Sequence, residues 1–521
     1  NTAVGQAALL AITTGDENTA LGSNAGDALT TGSWNTLLGY DAASTITTGY
    51  GNVVIGREAM KAADTGVIEN TIVGYTAGNN GSFAADKVVL IGSQAGQGAM
   101  TSDADATIAI GYQAAMSLTS GIGNTAIGFE ALRTEDTSDG NVAIGHQALM
   151  NQNAADNAGN TAVGTYSLYG LTTGIGSTGI GYKAGQSVTT GHNNHLFGHQ
   201  AGKSLTVGRY NTAVGYLALD AAVEDSNNVA IGHNALTAQN GGGSDGGATD
   251  TNNVAVGYVA GLSVTTGVNN VFLGAYAGDA VTTASYNTLL GYAAGSSLVT
   301  ATSTNNQHNV YVGNAAGASS TGYDNVIVGS EAGDALTSGN SNVVIGRNAL
   351  TAATTVTDCV VIGRETAASL ASGVAAAGVI AIGSFACNDI NSTDANYTIG
   401  IGYGAAANVT SGQKNLAIGY AALEDCTTGD NNTVVGYQAG TEISTGTDNT
   451  VVGRGAGDAI TDAIRAVSVG SLALTANESG QGDVAIGYFA LGNATGGKNV
   501  GIGYQAGDTI TSGTGNVYIG Y

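Results

Sequence analysis

The sequence contains no proline. In 521 residues that absence excludes polyproline linkers, and it suits a chain whose backbone N–H groups are engaged in ladders, where proline would remove a donor from nearly any position. Cysteine is almost as scarce. The three present, Cys359, Cys387 and Cys426, are odd in number and far apart, so they form no small-domain disulfide framework and are read as tolerated substitutions. Basic residues number 13 against 38 acidic ones, for a formal charge of −25, which argues against nucleic acid as a partner. No segment reaches the roughly 18 apolar residues of a membrane span, so no membrane insertion is expected. The chain opens on Asn1 without a charged, apolar signal region.

What the sequence has instead is glycine, 84 residues of it, set in a fixed pattern. A five-residue phrase reads NTAVG at 1–5, NTALG at 18–22, NTLLG at 35–39 and NVVIG at 52–56, and recurs thirty times to NVYIG at 516–520. Nineteen of the twenty-nine intervals are seventeen residues long. Numbering each unit from the first residue of its phrase, slot one is Asn in twenty-two copies, slot four is always Val, Ile, Leu or Phe, and slot five is always Gly. A hydrophobic content of 43% with a fixed period excludes disorder, and the whole chain, 1–521, reads as one repeat array rather than several globular domains.

The phrase is a short β-branched run bounded by Gly, which predicts a strand. A second short strand is expected at Leu29-Thr30-Thr31-Gly32 and its equivalents, giving two strands and two turns per unit. The expectation is an all-β fold: a parallel β-roll or β-solenoid with identical slots stacked about 4.8 Å apart, a rod about 140 Å long. Asn in slot one should bond to the Asn above and below it. Slot eight is Ala in twenty-seven of twenty-nine complete units, which implies a tightly packed corner. Because slot four is invariant in character, slots two and four are expected to line the coil core, with Val4, Leu21, Ile55, Ile127, Ile345, Ile418, Val435 and Ile519 as its residues. Slot three would then face outward. It too is mostly apolar, and Ala20, Leu37, Val54, Ile72, Phe272, Tyr311, Val434 and Val451 are assigned to contacts between parallel copies of the chain, because a soluble monomer does not leave so long an apolar stripe bare. Face counting allows two or three copies.

Departures from seventeen mark tolerated additions. The largest, 238–252, is a Gly/Ser/Asp-rich surface insertion, and smaller ones precede the phrases at 309 and 379. A solenoid normally carries polar caps, and neither end shows one, so the chain is read as a segment of a longer protein.

The NTAVG, NVAIG and NTVVG phrases, each followed by YxAG or xxAL and then LTTG, resemble the head repeats of trimeric autotransporter adhesins of the YadA type. They are similar above all to the long versions of that repeat in tail-fibre and virion-fibre proteins of phages, marine phages especially. The resemblance covers the whole chain. It implies a left-handed roll, a parallel homotrimer, and an extracellular place on a virion or cell surface as a fibre that attaches to a host receptor or surface glycan. The bacterial adhesin passenger is the alternative, and an ice-binding solenoid using the stacked TTG threonines is a lesser one. The unit is longer than the usual adhesin repeat, and no stalk, neck or anchor segment is present.

Chemistry is sparse. His192, His195 and His199 cluster in HNNHLFGHQ, and His195 in slot two could bind a metal only by meeting symmetry mates on a shared axis; ordinary repeat variation is the expectation, with no metal or cofactor. Asp27, Asp279, Asp334, Asp458 and Asp508 could form a sparse cation column but read as a solvated acidic face. Slot six is Tyr thirteen times, as at Tyr40, Tyr75, Tyr403, Tyr420 and Tyr437, a column that could grip glycans or pack a corner. No nucleophile triad or paired-carboxylate cleft is offered, so no enzyme is expected.

Overall fold

The computed structural model describes residues 1–64, 66–154, 157–241, 248–298, 307–370, 377–390 and 396–521. The chain is an all-β parallel β-solenoid of about 29 turns, and the only helical element among the described residues is a 3-10 turn at Ser102–Ala104. Two compact units are present, Asn1–Val268 and Asn269–Tyr521. Each carries fifteen phrase strands of three residues.

Strands pair in parallel with identical slots in register: Thr19 with Thr36, Ala20 with Leu37, Leu21 with Leu38 in the first unit, and Thr433 with Thr450, Val434 with Val451, Val435 with Val452 in the second. The chain leaves each strand at slot five. Gly22 sits there at φ +142°, and a Cβ on it would lie 2.3 Å from the carbonyl oxygen of Gly39 one turn on. Both the backbone angle and the close approach therefore require glycine. Slots seven and nine then adopt the left-handed conformation, as at Asn24 (φ 58°) and Leu9 (φ 50°), and turn the chain back across the coil.

The second strand does not form at the Leu29-Thr30-Thr31-Gly32 segment or, away from the large insertion, at its equivalents among the described residues. Thr30 and Thr31 both donate their N–H to the Thr47 carbonyl, at 2.8 and 3.3 Å, and Thr30 Oγ1 donates to the same oxygen at 3.0 Å. Three donors converge on one acceptor, so this side makes a bend where a pleated ladder would spread its bonds over successive residues. The asparagine ladder does form. Asn35 N and Nδ2 both donate to Asn18 Oδ1, each at 3.0 Å, and Asn35 Nδ2 also reaches across the coil to the Gly49 carbonyl at 2.8 Å. Slot eight is the expected tight corner, with Ala25, Ala42 and Ala59 fully buried. Its exceptions, Ser167 and Thr366, donate their hydroxyls to the carbonyls of Gly179 and Gly383.

The two faces of the strand are the reverse of the sequence expectation. Ala20, Leu37, Val54, Ile72, Phe272, Tyr311, Val434 and Val451 are at most 1% exposed, inside their own coil. The residues expected in the core point outward: Val4, Leu21, Ile345 and Ile519 are exposed, and Ile55, Ile127, Ile418 and Val435 half-buried. Alternation explains it, since slots one, three and five share a side. The Asn ladder in slot one and the close approach at slot five both lie within the coil, and slot three must go with them.

Inside, slot three packs against slot nine. Beside several of the largest slot-three side chains slot nine is Gly: a Cβ on Gly26 would lie 2.4 Å from Leu37 Cδ1, on Gly278 2.5 Å from the Phe272 ring, and on Gly317 2.7 Å from the Tyr311 ring. In several turns where slot three is Ala in its own and the following turn, slot nine is Leu, as with Leu132 between Ala126 and Ala143, though Ala115 lies between Ala109 and Ala126. In these turns bulk in one slot is matched by its absence in the other, as close packing favours.

At the base of the large insertion, Asp225–Ser226 pairs in parallel with Thr249–Asp250. The tip of that loop, 242–247, and the stretches 299–306 and 371–376 ahead of the phrases at 309 and 379 lie outside the described residues.

Candidate assembly face and aromatic column

Slots two and four of the strand make a face two side chains wide on the outside of each unit. Across all thirty phrases these slots hold no Asp, Glu, Lys or Arg, and His195 is their only titratable residue. In the first unit Leu21, Leu38, Ile144 and Ile231 are 37–48% exposed, and in the second Leu273, Leu290, Ile345 and Ile486 are 37–44% exposed. Adjacent rungs present slot-four apolar groups at the strand spacing, so each unit carries an apolar stripe of the kind that soluble monomers rarely leave bare. Parallel ladder bonds satisfy the backbone within this face, as in His195 N to the Asn211 carbonyl at 2.8 Å. What remains to be covered is the apolar column of slot four and the mixed Val, Ile and Thr side chains of slot two.

Next to the face, beyond the slot-five glycine, slot six forms a column of stacked planar groups. Tyr182, His199, Tyr216, His233 and Tyr258 stack in sequence with centroids 5.0–5.4 Å apart. Tyr403, Tyr420 and Tyr437 do the same at 5.4 and 5.2 Å, and Arg57 sits 5.9 Å from the rings of both Tyr40 and Tyr75. The rings are about half exposed, but their faces are turned to one another along the column. What they offer outward is edges and hydroxyls, not the open aromatic faces on which a sugar ring packs.

The histidine cluster disperses. His192 lies at the turn, His195 on the outward strand face and His199 in the aromatic stack, and no group of three or more potential metal ligands occurs among the described residues. Slot two faces outward, so His195 is exposed, and its imidazole makes no hydrogen bond or ring contact among the described residues. The aspartates at Asp27, Asp279, Asp334, Asp458 and Asp508 are half-buried and isolated. Their neighbours in the same slot, such as Leu262 and Ser296 around Asp279, carry no carboxylate, so no acidic column exists. Burial pushes the carboxyls of Asp279, Asp334 and Asp458 upward. Of the TTG threonines, the first has its hydroxyl bonded to the next turn, as in Thr13 Oγ1 to the Thr30 carbonyl at 3.0 Å, which leaves little of an ordered hydroxyl array for ice.

Sequence reasoning missed a set of polar groups inside the coil at slot twelve, otherwise held by residues such as Leu29 and Ile46. Glu135 takes this slot fully buried, and its Oε1 accepts from the N–H groups of Asp136, Thr137 and Ser138 at 2.8–3.0 Å. Gln239 takes it beside Asp225, whose Oδ1 accepts from Gln239 Nε2 at 3.1 Å and Gly241 N at 2.7 Å. A polar residue in a slot otherwise apolar was the available signal. These groups close turns and are enclosed by the coil. The three cysteines are likewise buried thiols outside any disulfide, and burial raises the thiol of Cys359 to about 11, well away from a nucleophile's range. Neither the comparison with protein families nor that with curated proteins returns a match.

Proposed function

We propose that this chain is the shaft of a surface fibre in which three parallel copies surround a common axis, and that the fibre serves attachment of a virion, or of a bacterial cell, to a host surface. The observation that supports this best is the charge-free apolar face of slots two and four. A chain carrying 51 charged residues places none of them there, and side chains such as Leu21 and Leu273 stand nearly half exposed. A second copy of the same chain is the occupant whose stripe repeats at the same spacing over the same length, and rotation about a shared axis covers every stripe alike. Three rather than two copies, the left-handed coil and the attachment role follow from the resemblance to YadA-type heads and phage fibres.

The contacts between copies are therefore assigned to slots two and four, and the slot-three residues to each chain's own core. Native mass measurement on the purified chain should give three copies, with solution scattering from a rod. A stable monomer at micromolar concentration would overturn the reading.

A further inference from the structure

His195 interrupts a face that is otherwise free of titratable groups. Its rung neighbours in slot two are Thr178 and Thr212, and the slot-four side chains beside it are Ile180, Phe197 and Val214. Covering the face with other copies would desolvate the imidazole, and a buried polar group without a partner is costly. The described residues of the chain supply none. In a parallel threefold assembly, each His195 meets two copies of itself at the same height.

Column size decides where they meet. Slot two is mostly Thr or Val, whereas slot four is always Val, Ile, Leu or Phe. Three equivalent side chains around an axis share the narrowest space, which suits the smaller column. Slot two then lies on the axis and Phe197 away from it.

We propose that the three His195 imidazoles of such an assembly form a site for one divalent transition-metal cation of the cobalt, nickel or zinc class. The site rests on the threefold reading above and is incomplete in any single chain. Neutral imidazole is a favoured ligand for these ions, and three nitrogens with one open position make a familiar coordination set. The threonines of the adjacent rungs place hydroxyls above and below, and no carboxylate on the face competes for the ion.

The test titrates metal-free protein with Co²⁺ and reads native mass and the visible absorption of nitrogen-bound cobalt. Wild type should bind one Co²⁺ per three chains. His195→Thr, which restores the residue of both neighbouring rungs and so preserves the fold, should remain trimeric and lose the ion, while His192→Ala keeps it. A trimer that binds no Co²⁺, or whose binding survives His195→Thr, overturns the site and leaves the assembly standing. A monomer overturns the assembly and the site together.

Discussion

Two columns of side chains one residue apart behave in opposite ways. Slot three, inside the coil, ranges from Gly179 through Ala20 and Leu37 to Tyr311, while slot four, outside it, never leaves the set Val, Ile, Leu and Phe. Ordinarily the buried position is the restricted one. Here the buried column varies, and in several turns its partner in slot nine varies with it, Gly beside Phe272 and Leu between alanines. The outer column has no compensating partner within the chain. Its constancy is what a surface shows when it must match something that does not co-vary turn by turn, and another copy of the same stripe satisfies that condition.

The sharpest way to break this comparison is to put the same charge on both sides of one strand. Val434 is fully buried and Val435 half-buried on the outside. Val434→Asp should destabilise its region of the coil by about 2–7 kcal/mol, the cost of burying an unpartnered polar group. Val435→Asp should change the stability of the isolated chain by about 0.5 kcal/mol or less, as surface substitutions do, while abolishing assembly. Hydrogen exchange and native mass read the two effects separately, and equal loss of protection in both variants would refute the assignment of faces.

Compensation can be tested by moving it. Leu37→Ala should leave a cavity costing about 2–5 kcal/mol, and Gly26→Leu should overpack against Leu37 at a cost of about 1–3 kcal/mol. Combined, they recreate the arrangement at Leu9, whose slot-three neighbours are Ala3 and Ala20, and Gly26 already has the left-handed φ of 58° that Leu9 tolerates at 50°. The double variant should therefore recover about 2 kcal/mol or more relative to the sum of the single changes. Additive losses would mean that the two slots do not share one volume.

The inner polar column offers a smaller contrast. Asn35 Oδ1 accepts from Asn52 N and Nδ2, at 3.1 and 2.9 Å, so Asn35→Ala should leave buried donors unpaired at about 1–3 kcal/mol. Thr36→Ala, on the outer face next door, should cost the isolated chain a few tenths of a kcal/mol, about the scale of an exposed substitution. Local exchange rates around residues 18–52 distinguish them.

The repeat, the parallel register, the Asn ladder, the glycine corner and the tight slot-eight alanines were all legible in the sequence, because each is a one-residue rule that recurs in most of the thirty phrases. The orientation of the strand was not read correctly, since invariance at slot four was taken for burial. The information was nonetheless there: alternation ties slot three to the inward Asn and Gly, and the exchange of bulk between Leu37 and Gly26 marks slot three as a core position. The missing second strand was harder to foresee, because threonine has high β propensity and its bond to a neighbouring carbonyl appears only once the turns are stacked. His195 was recognised as a candidate and set aside for the same reason of orientation, so correcting the face restored the candidate.

The smallest expected effect separates the regular asparagine rungs from the one rung that carries a carboxylate in their place. Asp483 occupies slot one, fully buried; its Oδ1 accepts from Asn499 N at 2.7 Å as an asparagine would, and Asn477 Nδ2 donates to its other oxygen. Burial raises its carboxyl above the ordinary range, and the hydrogen bonds from Asn499 and Asn477 offset this only in part. The folded state therefore holds the proton more tightly than the unfolded chain does. Stability from this site is present in full below the unfolded carboxylate value, about 3.9, and is lost as pH rises through the higher folded value. An asparagine rung has no such dependence. Unfolding of wild type and Asp483→Asn, compared from about pH 4 to pH 7 across that carboxylate range, should show a decline with rising pH that is shallower in the variant, whatever the offset between the two curves at any one pH. Parallel curves would mean that the carboxyl titrates alike in both states, and that the buried rung at 483 behaves as an asparagine rung.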